Sequence, residues 1–321
     1  MFRLRRWIQS DAGLNDEAAL RFVLGKSGRT NWQSALTHIL AASAMITFMI
    51  VFAERFFPPQ GTVSAKILGA LYGFTIAGQA VVSAAAFSLT VHMIGGQRRR
   101  RTWDQLRATA GGTLAALRAA WAATVYYRLS GLLGMLVYAP RVLLLGLLLW
   151  DLTAFRGEYL TMIAGGHAPA LPPFFELPLL GAFIAAAFIV PLSALGLETA
   201  VGLLFSTFAR SRQTASLLQI GLTIVRVLWA AIAVSLMSDL LNTVKTSQLT
   251  SETNGVLIML VNGAAGDWGL SGLHAETVDS LWANIPYSAY VGAGLLGVVL
   301  IHSSLTVIVL RWAARRAQRL E

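Results

Sequence analysis

The chain has 321 residues, of which 56% are hydrophobic and 12% charged, with a mean hydropathy of +0.63. Soluble globular chains carry about a quarter charged residues, so the composition excludes a pair of ordinary soluble domains and describes a membrane protein. A net charge of +10 is compatible with a nucleic-acid binder until the charges are placed, and the absence of cysteine excludes disulfides and thiolate metal sites.

Residues 1–34 begin MFRLRRWIQSDAG, charged but with no apolar run behind, which is not the pattern of a cleavable signal peptide. Residues 16–32 alternate polar and apolar, as an interfacial helix or a loosely ordered arm would. A membrane crossing needs about 20 mostly apolar residues. Six stretches qualify, at about 35–53, 67–94, 132–152, 177–197, 214–237 and 287–310. The expected fold is therefore all-α and polytopic. It comprises a cytoplasmic arm over 1–34, a six-span transmembrane domain over 35–310 and a basic tail over 311–321. The connection over 238–286 is long enough to carry structure of its own; Val256–Val261 is too short to cross but fits a short or dipping helix.

Six spans put both termini on one side. Nineteen of the basic residues then fall on that side and four on the other, while Arg141 and Arg226 lie within spans. The positive-inside bias places both termini in the cytoplasm. Trp32, Trp150, Tyr287 and Trp312 stand at span ends, where amphipathic rings favour the interface. Most of the +10 is thus an orientation signal, and no nucleic-acid partner is expected.

The second span leads into Arg98–Arg101 and then TWDQLRATAGG. Thr102 and Gln105 form a capping box, Asp104 favours the positive end of the helix, and Gly111-Gly112 provides the stop. Trp103, Leu106 and Ala110 share a face. The ring of Trp103 has two uses: burial at the lipid interface, or docking in a groove of another protein. The helix also fits anionic headgroups, with Arg98–Arg101 holding the lipid. A second signal is the compact turn Ala209–Thr214, between apolar helices on the same side, which by itself denotes a tight helical hairpin.

Thr102–Thr109 after its basic run resembles the G-T-W-[ED]-L-L-L-x-T-P segment of type-two ABC transporter permeases. Ser206–Ala215 resembles the turn between that family's fourth and fifth spans. The six-span layout with both termini inside is also similar. The sequence departs from the pattern in carrying Arg98–Arg101 where the family has acids, and Ala110 where it has proline. The resemblance implies the permease subunit of an exporter in a bacterial-type inner (plasma) membrane. Thr102, Trp103, Asp104, Gln105, Leu106 and Arg107, with Ser211 and Arg212, would then couple to a separate ABC ATPase. A second permease copy or a paralogue would complete the transporter, surrounded by membrane lipids. ATP and magnesium would sit on the partner, this chain being no enzyme and binding no cofactor. Gly25-Lys26-Ser27 echoes a P-loop, but Leu20 stands where its first glycine is needed, so the amides that wrap phosphate are not available.

Arg141 and Arg226, counted from their span starts, fall roughly 14–18 Å deep. An arginine at the centre costs about 2.5–3.5 kcal/mol. They either line a path for an anionic substrate or pair with carboxylates such as Asp151 or Glu198, or with helix carbonyls; Pro140 opens the helix beside Arg141. His38 and His92 lie near the cytoplasmic side and His302 deeper. Facing histidines can ligate haem, but packed histidines without cofactor are far commoner. Gly69 and Gly73 form a G-x-x-x-G that permits close helix packing. Beside the exporter stand two other classes: a non-transporting membrane scaffold or anchor, and a haem or electron-transfer membrane subunit.

Overall fold

The computed structural model describes residues 63–99, 103, 112–144, 146, 173–209, 211–245 and 287–319. The amino-terminal arm, the span expected over 35–53 and the Val256–Val261 segment lie outside these residues. All described residues are in helices or in the turns that join them. Among the described residues, three helical segments are long and apolar enough to cross a membrane: Ala77–Gln97, Phe188–Ser206 and Ala293–Gln318. They overlap the second, fourth and sixth expected spans, over 67–94, 177–197 and 287–310.

Helix α1 (Val63–Val91) carries one charge, Lys66 near its start, and breaks only at His92, after which α2 (Met93–Arg99) continues. The amide of Gly96 donates to the His92 carbonyl at 2.9 Å, so the break is a change of pitch rather than a stop. Helix α3 (Gly112–Ala123) is rich in alanine, the residue of highest intrinsic helix propensity. Gly112 stands before its run with φ of 62°, a left-handed conformation open to glycine without a Cβ penalty.

Of the third expected span, over 132–152, the described residues 132–144 form the later part of a helical run that begins at Gly112. The run passes through a π-helical turn, Thr124–Arg128, then α4 (Ser130–Leu133), then a second π-helical turn, Gly134–Tyr138. The first is closed by the Leu129 amide donating to the Thr124 carbonyl at 3.1 Å, five residues back. The second is closed likewise by Ala139 on Gly134. Pro140 follows directly and has no N–H for the Leu136 carbonyl four residues earlier. That carbonyl is where Gly78 of α1 comes closest: a Cβ there would collide with Leu136 O.

Three long helices follow among the described residues: α5 (Pro173–Ser206), α6 (Arg212–Lys245) and α7 (Tyr287–Gln318). The most extensive packing is α5 on α7, followed by α5 on α1. Small residues bring the helices together, as expected where lipid supplies no hydrophobic drive between them. Gly202 lies against Thr90, and Gly196 under the ring of Trp121. The indole N–H of Trp121 donates to the Gly196 carbonyl at 2.7 Å, and the Tyr138 hydroxyl donates to the Phe188 carbonyl at 3.0 Å. Buried hydroxyls are satisfied within their own helices: Thr75, Thr90, Thr124 and Thr199 each donate to the carbonyl four residues back. Helix α6 has only slight contact with α1 and α5.

Candidate functional site

Helices α2, α3, α5 and α7 meet where Arg311, Arg315 and Arg319 are exposed, and this is the basic end of the molecule. Its core joins Ile94, Trp103, Leu117, Ala120, Leu203, Leu204, Leu310, Ala313 and Ala317, with Phe208 and Trp121 packed against it. The periodicity explains the convergence. On α7 the buried positions Leu310, Ala313, Ala314 and Ala317 are spaced as one helical face. On α3, Ala116, Leu117, Ala119, Ala120 and Ala123 are buried, and their small side chains let the backbones approach.

Trp103, the central residue of the first motif, is 4% exposed. The structure places its ring in this chain's own core, a third option beside the lipid interface and a partner's groove. Its indole nitrogen is buried with no hydrogen-bond partner among the described residues. Thr102, Asp104, Gln105, Leu106 and Arg107 lie outside the described residues.

The second motif arrives at the same place. Beyond Ser206 the chain turns through Thr207 and Phe208, whose amides donate to the carbonyls of Leu204 and Phe205 at 3.0 Å. Ser211 then caps α6: its Oγ accepts from the Thr214 amide at 3.1 Å and lies 2.9 Å from the Thr214 hydroxyl. Arg212 opens α6. The guanidinium of Arg316 lies 3.7 Å over the Phe208 ring, tying the end of α7 to this turn. Behind it, Phe208 meets Phe205 and Phe205 meets Phe87, edge to face. On the other flank Gly95 faces the Ala209 carbonyl. Trp103 and the turn following α5 therefore share one assembly. Sequence reasoning missed Phe208 and Arg316. A cation–π pair 108 positions apart has no local signal.

Arg141 is fully buried. Leu136 is opposite Gly78, which lies about 24 Å along α1 from Ile94 in the basic core. Arg141 is five residues further on. It therefore stands roughly 30 Å from Ile94, measured along the helices. The expected span was counted from residue 132, whereas the helical run itself begins at Gly112. Arg128, assigned to the loop by that count, lies on the same run, beside Val125 and Leu129. These two pack with Val82, Ala86 and Leu195.

Arg226 lies on α6, and Gly69 and Gly73 lie on α1, their surroundings outside what the structure describes; among the described glycines, close approaches occur at Gly78, Gly196 and Gly202. His38 is outside the described residues. His92 occupies the break after α1, while His302 Nδ1 is 3.2 Å from the Ser193 hydroxyl, between α7 and α5. Among the described residues no group of three or more His, Asp or Glu side chains is arranged to hold a metal.

Comparisons of the chain with protein-family models, with curated proteins and with solved structures find no match.

Proposed function

We propose that this chain is the permease subunit of an ATP-driven ABC exporter, with ATP hydrolysis on a separate subunit docked at the basic end and a second permease beside it. The reading is supported by one observation above all: the two segments whose residues resemble the family's coupling elements share a single packed assembly. Trp103 is in its core, and Phe208 is the first bulky residue of the turn after α5. A force applied at either segment reaches α1, α5 and α7 together. Tilting of those helices between inward- and outward-open states would carry the substrate. Six spans and a cytoplasmic basic end belong to this proposal. So do the coupling roles of Thr102–Arg107, Ser211 and Arg212, and an anionic-substrate path along Arg141 and Arg226.

The geometry also selects the test. Trp103→Ala removes a core residue, so its loss of coupling is indistinguishable from loss of folding. Gln213 is exposed in the first turn of α6. Co-purification should yield an ATPase whose turnover rises when it is bound to this permease. Gln213→Glu should abolish that rise while leaving the yield of folded permease unchanged. An ATPase indifferent to the permease, or none in the purified complex, favours the scaffold.

A further inference from the structure

The last turns of α7 have an outward face that the packing of the helices does not employ. We propose that Arg311, Trp312 and Arg315 form a binding site for the phosphate headgroup of an anionic phospholipid. The inference is independent of the exporter reading.

Leu310, Ala313, Ala314 and Ala317 are buried against the basic core, and this fixes the rotation of α7. Arg311, Trp312 and Arg315 consequently point away from the protein and are exposed, Trp312 by 56%. Arg316, the next residue, is turned the other way onto Phe208 and does not share this face. Below it the same helix exposes Leu300, Ile301, Leu305 and Ile308, an apolar surface at the level of lipid chains. The change from apolar to cationic occurs within one turn, between Ile308 and Arg311. An amphipathic indole at that boundary has the chemistry of the headgroup level.

The spacing fits the layer. A bilayer has a hydrocarbon core of about 30 Å and about 40–45 Å with its headgroups, leaving roughly 5–7 Å of headgroup on each side. Arg311 and Arg315 are one turn apart, about 6 Å along the axis, so both fall within it. Arg319 is about 12 Å beyond Arg311 and lies past it. There is no acidic residue anywhere on α7 to compete for the two guanidinium groups. Each can donate two hydrogen bonds to phosphate oxygens, a geometry that lysine does not offer.

The test uses the full-length protein in phosphatidylcholine-containing micelles titrated with phosphatidylglycerol, with retained lipid counted by native mass spectrometry. A cationic residue near a membrane surface contributes about 1 kcal/mol toward anionic lipid. R311Q/R315Q should therefore weaken phosphatidylglycerol retention by about 30-fold. R319Q should change it by less than about threefold, since its charge lies beyond the headgroup layer. Parent-level retention in R311Q/R315Q overturns the proposal, as does an equal loss in R319Q. A parent protein that retains phosphatidylglycerol no better than phosphatidylcholine overturns it without any variant. Inorganic phosphate that displaces the lipid at millimolar concentration identifies a free-anion site and overturns the lipid assignment.

Discussion

At the scale of single residues, the structure separates side chains that carry the packing from those able to face a partner. Trp103 belongs to the first group. Replacement by alanine leaves a cavity among Ile94, Leu203, Leu310 and the alanines of α3, so Trp103→Ala is expected to lower stability by about 3–5 kcal/mol in a micelle unfolding titration. An unchanged midpoint would show that the ring is not in this core. Gly78→Ala is a sharper case. The new methyl meets the Leu136 backbone carbonyl, which cannot rotate aside as a side chain can. A loss of about 1–3 kcal/mol is expected. Gly297→Ala on α7, with open space around it, should be neutral or slightly stabilising in the same titration. Equal effects at the two glycines would contradict the described contact between α1 and the Gly134–Tyr138 turn.

At the scale of elements, Ser211 decides how α6 begins. Ser211→Ala removes the acceptor for the Thr214 amide and should destabilise that end by about 0.5–2 kcal/mol, while Ser211→Asp preserves it. Hydrogen exchange over the first turn of α6 reads the difference, and equal exchange in the two variants would exclude the cap. The elements also show where sequence is a good guide. Helices α1, α5 and α7 are legible because each has a long run that is apolar and nearly free of charge. The start of the helix that leads into the third expected span was not legible. Arg118 and Arg128 interrupt the apolar pattern, so a hydropathy count begins only at Leu132. The actual helix tolerates both, with Arg118 half-buried and Arg128 exposed at the edge. The direction of Trp103 was not legible either. An amphipathic turn announces that its ring will be buried, but it cannot tell the chain's own core from lipid or from another protein. Phe208 with Arg316, and Gly78 with Leu136, depend on how distant helices meet, and no local pattern encodes that.

At the scale of the whole molecule, the three membrane-length helices and the basic end they share are the framework for any topology. The six-span proposal makes a prediction that the natural lack of cysteine renders easy to test. Single cysteines at Arg319 and at Ser247 should react on opposite sides. In intact cells a membrane-impermeant maleimide should label Ser247→Cys, and it should label Arg319→Cys only after permeabilisation. Labelling of both from one side would refute six spans with a cytoplasmic tail. The limited contact of α6 with α1 and α5 also acquires meaning at this scale. Leu217, Ile220, Ile224 and Leu228 are exposed along it, so its apolar surface is left for lipid or for the second permease of the proposed pair.

The two π-helical turns have a geometric consequence for Arg141. An α-helix advances 100° per residue, and each five-residue closure adds one residue beyond the α turn. Two such additions between Gly112 and Arg141 displace the angular phase by about 200°. A wheel drawn in uniform α-helical steps from Gly112 would therefore assign Arg141 to nearly the opposite side of its helix. The inward aim of this arginine is set by two surplus residues upstream of it. Relaxation of either turn to α geometry would rotate the guanidinium by more than a quarter of a circle without altering any residue beside it.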